Sequence, residues 1–321
     1  MREYPLPVFR DVLAARSRIA PYLRPTPLFS YPALNELLGT RVYVKHENHQ
    51  PVGAFKVRGG VNLVARMTAA ERERGLISAS TGNHGQSIAY AGRLFGARVL
   101  IVVPEGANPG KVAAMQGMGA EVVFHGSKFE EAVQHCESLA RQRGYRYVHA
   151  ANEPLLIAGV GTHTLEIQLE EPDIEVVIVP LGMGSGVAGA CIAAHGINPA
   201  VQVIAVQSEA SPAGYESWKQ QTLVAAPNRT FAEGIATGSA AELTQQVMHE
   251  HLHDFALVSD DEIRQAMVWM IERAHTLAEG AGAAPLAAAY RMRAELRGRK
   301  VALICSGGNS SLEHLRHALA L

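Results

Sequence analysis

One lysine in this 321-residue sequence sits among small and apolar residues, where its amine could act as a nucleophile. Lys56 lies in the segment 53–60, at a predicted loop-to-helix junction, with Phe55 before it and Val57 after it. Burial disfavours the charged ammonium, lowers its pKa and makes the amine nucleophilic. Schiff-base formation requires an amine of this kind. The segment therefore predicts a lysine that reacts with a carbonyl group.

Three polar loops each follow a predicted strand and open a predicted helix. They are Ser80 to Gln86, Gly182 to Gly186 and Ser306 to Asn309. Backbone N–H groups at a helix N-terminus attract anions, and the small residues of the second loop leave these groups unshielded for a phosphate. Ligands of parallel α/β sheets bind beyond the carboxyl ends of the strands. Three such loops in one chain predict one composite site.

The glycine loop also matches the dinucleotide fingerprint. Gly184, Gly186 and Gly189 follow a predicted strand and open a helix, and Glu209 lies twenty residues beyond the last glycine. This spacing is typical of NAD-binding units, so an NAD-dependent dehydrogenase is one interpretation. The loop itself indicates only that a phosphate binds, because several phosphate ligands suit the same cradle.

A second short motif resembles a metal site. His249, Glu250 and His253 fit H-E-x-x-H, in which two histidines one helical turn apart bind zinc. A third ligand is not evident in the sequence, and the helix soon gives way to a predicted strand at Ala256. We therefore expect no transition metal here.

Composition and charge narrow the class of protein. The chain has 29 Lys and Arg against 30 Asp and Glu, a net charge of −1, which disfavours binding to nucleic acid or to an anionic membrane. With 48% hydrophobic and 18% charged residues, it is expected to be globular. The three cysteines are far apart and the N-terminal residues lack the apolar core of a signal peptide, so we expect a cytoplasmic protein without disulfides.

Short β-branched segments alternate with amphipathic stretches along most of the chain. The predicted strands are Arg41–His46, Leu76–Ala79, Arg98–Val103, Glu121–Phe124, Arg146–His149, Glu175–Pro180, Gln202–Gln207, Ala256–Ser259 and Lys300–Cys305. The predicted helices include Asn83–Phe95, Pro109–Met118, Lys128–Arg143, Leu155–Glu170, Asp260–Ala278 and Ala283–Leu296. This alternation predicts parallel sheets covered by helices on both faces. We expect a larger domain from residues 1–52 and 148–321, a smaller one from 53–147, and a cleft between them.

Taken in chain order, the motifs resemble those of the fold-type II pyridoxal-phosphate enzymes, in particular the serine/threonine dehydratase (ammonia-lyase) group, with serine racemase a close relative. The resemblance covers nearly the whole chain. It rests on Arg24 to Leu28, Glu47 and Asn48, Ala54 to Gly59, Ser80 to Gln86, Ile157 to Thr162, the glycine loop, Glu279 to Gly282 and Ser306 to Asn309. It implies two open, twisted, mainly parallel-sheet domains like those of the tryptophan synthase β-subunit. The cofactor would lie in the cleft, and the protein would be a homodimer.

The resemblance also implies roles for individual residues. Lys56 would hold pyridoxal 5'-phosphate as an internal aldimine, Phe55 would pack beside the ring, Asn83 would hydrogen-bond the ring 3-oxygen, and Ser306 would face the ring nitrogen. The backbone amides of the glycine loop would bind the phosphate, through Gly182, Met183, Gly184, Ser185 and Gly186. The substrate carboxylate would be surrounded by Ser80, Thr81, Asn83 and His84.

The implied reaction is elimination of water from a small β-hydroxy amino acid such as L-threonine or L-serine, followed by hydrolysis of the released product to a 2-oxo acid and ammonia. The Lys56 amine would remove the Cα proton while the cofactor acts as electron sink. The Ser306 hydroxyl would leave the ring nitrogen largely unprotonated, which favours elimination. The alternatives are a serine or hydroxyaspartate racemase, with Thr81 at the position of the second base, and a 3-hydroxyaspartate ammonia-lyase.

Two departures from the family pattern matter. Met183 and Ser185 replace glycines of the phosphate loop, which makes the loop less permissive. In relatives with a divalent cation, a Glu, an alanine carbonyl and an Asp bind it; Glu209 and Ala213 match, but Tyr215 replaces the Asp. Because phenol is a poor ligand for hard cations, we expect no metal at this position.

Overall fold

The computed structural model describes residues 5–320 and contains two β-sheets surrounded by helices. The strands of these residues, in chain order, are β1 (Leu28–Ser30), β2 (Arg41–His46), β3 (Leu76–Ala79), β4 (Val99–Val103), β5 (Glu121–Phe124), β6 (Arg146–Tyr147), β7 (Val176–Pro180), β8 (Gln202–Ser208), β9 (Asp254–Val258) and β10 (Lys300–Cys305). The larger sheet has the order β1-β2-β10-β7-β8-β9 and the smaller one β5-β4-β3-β6. Neighbouring strands are parallel except β1 and β2. The predicted α/β class is confirmed.

Helices connect almost every pair of consecutive strands. They are α1 (Phe9–Ile19), α2 (Pro32–Leu38), α3 (Val57–Ala65), α4 (Ala69–Arg74), α5 (Asn83–Phe95), α6 (Pro109–Gly117), α7 (Phe129–Arg143), α8 (Pro154–Glu170), α9 (Ser185–Ile197), α10 (Ala213–Gln220), α11 (Glu242–His251), α12 (Asp260–Ala274), α13 (Gly280–Arg291) and α14 (Leu312–Leu319). Two short 3-10 turns cover Glu47–His49 and Glu233–Ile235. Because helices cover both faces, central strands such as β4 and β7 are buried along their whole length.

The smaller sheet uses only strands β3 to β6, and the larger sheet uses strands that precede and follow them in the chain. This arrangement agrees with an inserted smaller domain. The boundaries at 52/53 and 147/148 stay a prediction, and residues 1–4 and 321 of the predicted larger domain lie outside the described residues.

Most differences from the predicted elements occur at their ends. The predicted helix 260–278 stops at Ala274, because His275 adopts a left-handed conformation with φ 51°. The predicted helix 283–296 instead covers α13, three residues earlier at its start. At the other end of α12, Ser259 accepts a hydrogen bond from the Glu262 amide at 3.2 Å, and the Glu262 carboxylate accepts from the Ser259 amide at 2.7 Å, which confirms the predicted capping box.

Helices α8 and α9 pack with their backbones in close approach. A Cβ on Gly161 would lie 2.7 Å from the Gly189 carbonyl oxygen, and a Cβ on Gly189 would lie 2.7 Å from the Gly161 amide nitrogen. Any side chain at either position would force the helices apart. The last glycine of the dinucleotide-like pattern therefore serves helix packing, and this packing fixes the position of the α9 N-terminus.

In residues 5–320, we find no helix that combines the length and the apolar character needed to cross a membrane. Cys136, Cys191 and Cys305 are buried free thiols. Burial raises the pKa of the Cys136 thiol to about 12, so it is not a nucleophile at neutral pH.

Candidate active site

A cavity of about 400 Å³ lies where the carboxyl ends of strands from both sheets face each other. Its lining brings together every residue predicted to bind cofactor or substrate, namely Phe55, Lys56, Ser80, Thr81, Asn83, His84, Gly182, Met183, Gly184, Ser185, Gly186 and Ser306. These residues come from segments up to 251 residues apart in the chain (306 − 55). Both sheets are therefore required to assemble the cavity.

The amine of Lys56 points into this cavity. Lys56 immediately precedes α3, and its Nζ donates a hydrogen bond to Oγ of Ser185 at 2.6 Å. Nζ also lies 5.1 Å from the centroid of the Phe55 ring. Burial lowers the pKa of Lys56 to about 8. The amine is thus available as a nucleophile near neutral pH, as the sequence predicts.

The backbone around Lys56 is bonded to the loop that carries Ser306. The Phe55 amide donates to the Ser306 carbonyl at 2.9 Å, and the Gly308 amide donates to the Gly53 carbonyl at 2.9 Å. Gly53 has a φ of 65°, and a Cβ there would lie 2.7 Å from Oδ1 of Asn309. Glycine is therefore required at position 53, and the two loops hold a fixed spacing across the cavity.

Two residues after the lysine, Arg58 anchors the segment through a buried charge network. Its guanidinium donates to Glu47 at 2.7 and 2.8 Å and to Glu166 at 2.6 and 2.7 Å. Lys45 contacts Glu166 at 2.7 Å, and Thr26 donates to Glu47 at 2.5 Å. Two cations and two carboxylates balance one another. Arg58 and Glu47 were part of the family motifs, but neither their direct pairing nor the link from Arg58 through Glu166 to Lys45 was predicted.

The glycine loop forms a tight cradle at the N-terminus of α9. Gly184 has a φ of 94°, and a Cβ there would lie 2.7 Å from Oγ1 of Thr244. A Cβ on Gly182 would lie 2.5 Å from the Gly234 carbonyl oxygen. The Met183 carbonyl accepts a hydrogen bond from Thr244 at 2.8 Å. Backbone amides and the positive end of the helix dipole suit a phosphate, so the residues present fit the phosphate group of the cofactor.

The loop after β3 is held by its own side chains. Oγ of Ser80 accepts hydrogen bonds from the Gly85 amide at 2.9 Å and from the Gly82 amide at 3.3 Å. The residue Thr81 is exposed where it lines the cavity. This arrangement presents hydroxyl groups at the start of α5, where an anionic carboxylate is favoured.

The His84 side chain is buried and forms a hydrogen bond with Ser78. Its Nε2 lies 2.9 Å from Oγ of Ser78, and that hydroxyl donates to the Val148 carbonyl at 2.8 Å. Because a hydroxyl has one hydrogen, the imidazole must donate from Nε2, which leaves Nδ1 as an acceptor. Burial, with the nearby Lys56 ammonium, lowers the pKa of His84 to about 3. The imidazole is neutral at working pH.

Part of the cavity comes from residues that the sequence analysis did not assign. They are Lys111, Phe129, Glu130, Ala150, Glu279 and residues of the segment 228–239. Lys111 of α6 and Glu233 of the second 3-10 turn form an ion pair across the cavity. One proline, two glycines and several polar residues mark the segment 221–241 as a long loop, but nothing in its sequence indicates which side chains face the ligand.

The residues at the family's cation positions contact other protein groups in this chain. The Glu209 carboxylate accepts a hydrogen bond from Arg291 at 2.9 Å, and the Ala213 carbonyl accepts one from Ser217 at 2.7 Å. The Tyr215 ring packs edge-on against Phe255, with centroids 5.4 Å apart. The donor set for a hard cation is thus engaged by protein groups.

The H-E-x-x-H pattern does not lie on one helix. Helix α11 ends at His251, so His253 lies beyond it. The His251 ring stacks on His195, with centroids 4.5 Å apart. Throughout the stretch 5–320, no cluster of three or more His, Cys, Asp or Glu side chains has a geometry that could hold a metal ion.

The order of elements and loops described above matches one known class of enzyme. The chain belongs to the family of pyridoxal-phosphate-dependent enzymes, whose model matches residues 19–307. Pyridoxal phosphate is therefore the cofactor, and the interpretation of the glycine loop as an NAD-binding unit is wrong.

Named relatives cover almost the whole chain. The L-threonine ammonia-lyase of Thermotoga maritima is 36% identical over 300 residues, which is 93% of this chain and 75% of the relative. The L-threo-3-hydroxyaspartate ammonia-lyase of Saccharomyces cerevisiae is 35% identical over 309 residues, 96% of this chain and 95% of the relative. The structure of maize serine racemase superposes with a TM-score of 0.93 at 28% identity and covers 98% of both chains.

Proposed function

We propose that this protein is an ammonia-lyase that eliminates water from a small β-hydroxy amino acid, such as L-threonine or L-serine, after which hydrolysis of the resulting imine yields a 2-oxo acid and ammonia. The observation that carries the proposal is the Lys56 amine, whose pKa burial lowers to about 8 and which faces the glycine cradle of α9. The end-to-end similarity to L-threonine ammonia-lyase supports this choice of reaction.

Each group of cavity residues has a distinct task in this proposal. Lys56 would hold the cofactor, and its Nζ, when it carries a free amine, would accept the Cα proton of the substrate. The α9 cradle holds the phosphate through backbone amides, and Phe55 packs beside the ring. The cofactor supplies the electron sink when it is bound. The neutral hydroxyl of Ser306, which is 4% exposed, places no strong acid beside the ring nitrogen.

The substrate carboxylate is assigned to the start of α5. Ser80, Thr81, Asn83 and His84 surround this position and line the cavity. The amide hydrogens and hydroxyl groups there, together with the helix N-terminus, favour an anion. With the carboxylate fixed there, the Cα hydrogen is presented to the Lys56 amine.

A racemase is the second candidate. The Thr81 hydroxyl lines the cavity and is exposed within it, so it could deliver a proton to the face of Cα opposite Lys56. The fold similarity to maize serine racemase supports this candidate. The methyl group of threonine narrows the space for such a transfer, so elimination is the preferred proposal.

The test is to incubate the pyridoxal-phosphate-loaded protein with L-threonine, L-serine, D-serine and L-threo-3-hydroxyaspartate. Equal amounts of ammonia and 2-oxo acid from one of the L-amino acids are expected, and the preferred substrate identifies the lyase. Chiral chromatography measures racemisation in the same samples. Lys56→Ala should lower the rate by about 10³-fold or more while the protein stays folded. Formation of D-serine without 2-oxo acid would overturn the elimination proposal.

We also propose that the protein acts as a cytoplasmic homodimer. Three buried free thiols agree with a reducing compartment. Phe29, on the edge strand β1, is 51% exposed, and such apolar groups are often covered in assemblies. Light scattering coupled to size-exclusion chromatography measures the mass directly, and a 34.4 kDa species would contradict the dimer.

A further inference from the structure

Asn83 and Glu279, which line the cavity, form a hydrogen-bonded row with Asn309, and this row joins the two halves of the site. Nδ2 of Asn309 donates to Oδ1 of Asn83 at 2.8 Å, and Nδ2 of Asn83 donates to Oε1 of Glu279 at 2.7 Å. Asn83 begins α5 beside the smaller sheet, whereas Glu279 precedes α13 and Asn309 follows β10 of the larger sheet. The Asn83 amide is thus held from both ends by residues of the larger sheet's half.

The hydrogen-bond partners at the two ends of the row determine which amide groups donate and which accept. Nδ2 of Asn309 also donates to the Val52 carbonyl at 2.9 Å, which identifies the NH₂ end of that amide. At the other end, a carboxylate only accepts hydrogen bonds; burial raises the pKa of Glu279, and the Lys111 ammonium and the hydrogen bond from Asn83 oppose this rise. Turning the Asn83 amide over would place its oxygen against the Glu279 oxygen and its NH₂ group against that of Asn309. One orientation of Asn83 satisfies both neighbours.

Glu279 has little freedom to leave this position. The residue is 6% exposed, and its amide donates to the Gly307 carbonyl at 3.0 Å. A Cβ on Gly307 would lie 2.5 Å from Oε1 of Glu279, and a Cβ on Gly234 would lie 3.4 Å from the same atom. Two glycines therefore leave just enough room for the carboxylate beside Asn83.

We propose that Glu279 and Asn309 are positioning residues that hold Asn83 as a hydrogen-bond donor toward the ring 3-oxygen of the cofactor. The NH₂ group of Asn83 has two hydrogens, and Glu279 takes one of them, which leaves the second for the cavity. The carboxylate also polarises the amide and strengthens its second hydrogen bond. This inference rests on the cofactor contact proposed for Asn83, and the test below separates the two.

The test measures the affinity of the full-length protein for pyridoxal phosphate. Cofactor-depleted protein is titrated with pyridoxal phosphate, and the visible absorbance of the bound cofactor is followed. Asn83→Ala, Glu279→Ala and Asn309→Ala should each weaken binding by about tenfold, the size of one lost hydrogen bond. Glu279→Gln keeps an acceptor for Asn83 and should retain most of the affinity. Glu313→Gln, which removes an exposed carboxylate on α14, is the matched control and should bind as wild type.

The double variants decide whether Glu279 and Asn309 act through Asn83. In the Asn83→Ala background, adding Glu279→Ala or Asn309→Ala should weaken binding by less than about twofold, because the shared interaction is already lost. Full additive losses would overturn the proposal. Should Asn83→Ala alone bind normally, the proposed contact of Asn83 fails and this inference fails with it. If Asn83→Ala weakens binding while the other two changes do not, only the positioning role is wrong.

A size-conserving variant covers the case in which an alanine variant does not fold. Asn309→Asp places a carboxylate where the donor to Asn83 was, so it should weaken cofactor binding at least as much as Asn309→Ala. Thermal unfolding of the cofactor-free protein identifies variants that are folded. Normal affinity in a folded Asn309→Asp protein would contradict the proposed direction of the row.

Discussion

Nζ of Lys56 donates a hydrogen bond of 2.6 Å to Oγ of Ser185, the first residue of α9. Ser185 is one of the two positions at which the glycine loop departs from its family pattern. The contact joins the two groups that the proposed function assigns to the aldehyde and the phosphate of one cofactor. It also gives the lysine a neutral hydrogen-bond acceptor.

The first prediction concerns the pH at which Lys56 captures its cofactor. Only the neutral amine attacks the aldehyde, so the capture rate should rise with pH and be half-maximal near pH 8, the value to which burial lowers the Lys56 pKa. Stopped-flow absorbance of cofactor-depleted protein mixed with pyridoxal phosphate measures this profile. Ser185→Ala removes an acceptor that favours the ammonium, and its midpoint should move to lower pH. A midpoint near 10.5, the ordinary value for lysine, would show that the amine is not desolvated.

A second prediction tests the cradle through paired glycine variants. Gly184→Ala places a methyl group 2.7 Å from Oγ1 of Thr244 at a φ of 94°, so it should displace the loop and weaken cofactor binding by tenfold or more. Gly119→Ala is the matched control, because Gly119 has a similar φ of 88° and open space around it. Both variants should lose about 1 kcal/mol of stability from the left-handed backbone. Equal cofactor affinity in the two proteins would argue against a phosphate site at Gly184.

The third prediction concerns the buried network around Arg58. Arg58→Met leaves Glu47 and Glu166 without their shared cation, and should lower the free energy of unfolding by about 3–5 kcal/mol. Urea unfolding at neutral pH, followed by circular dichroism, measures this loss. Lys300→Met removes one member of a solvent-exposed ion pair, so its loss of stability should be much smaller than that of Arg58→Met. Comparable losses in both variants would mean that the network contributes no more than a surface pair.

The same network predicts the direction of acid sensitivity. Burial alone would raise the pKa of the Glu47 carboxyl, but the Arg58 guanidinium holds it well below its ordinary value of 4.5. A carboxyl whose pKa is lower in the folded state stabilises the fold above pH 4.5, and this contribution is lost as the pH falls below that value. Urea unfolding between pH 6 and pH 3 should show a steeper loss of stability for the wild type than for Glu47→Gln. Parallel curves would contradict the assignment.

A fifth prediction concerns divalent cations. Because Arg291 bonds Glu209, Glu262 and the Leu257 carbonyl, addition of Mg²⁺ or of a chelator should leave the melting temperature and the activity unchanged. The Arg291 side chain is 42% exposed, so Arg291→Met should cost only about 1 kcal/mol. A rise in melting temperature with Mg²⁺ in the wild type would show that a cation competes with Arg291.

Local sequence signals were sufficient for most of the fold. The strands at 41–46, 76–79, 121–124 and 300–305 have the predicted bounds, because each is a short apolar segment between turn residues. Strand β1 was missed, since three residues after Pro27 carry too little pattern; it forms by antiparallel pairing of Leu28 with Lys45. That pairing depends on a segment 17 residues away (45 − 28), which no local signal reports.

The site was predictable where a loop carried its own chemistry. Lys56 and the glycine loop stand out by composition, and both line the cavity. Glu279 was part of a family motif but had no predicted role, and Lys111 did not stand out, because a single charged residue in a sequence is usually at the surface. Their contacts with Asn83 and Glu233 span 196 and 122 residues, so only the folded chain brings them into the cavity.

The buried charge network around Arg58 affects how Lys56 becomes reactive. Lys45 and Arg58 are matched by Glu47 and Glu166, so the network adds almost no net field at the amine two residues away. The low pKa of Lys56 then follows from exclusion of water alone. Because ions in solution screen exposed charges far more than buried groups, the titration of this amine should be insensitive to ionic strength. An amine whose pKa is lowered by exclusion of water should therefore react at the same rate in dilute and in concentrated salt.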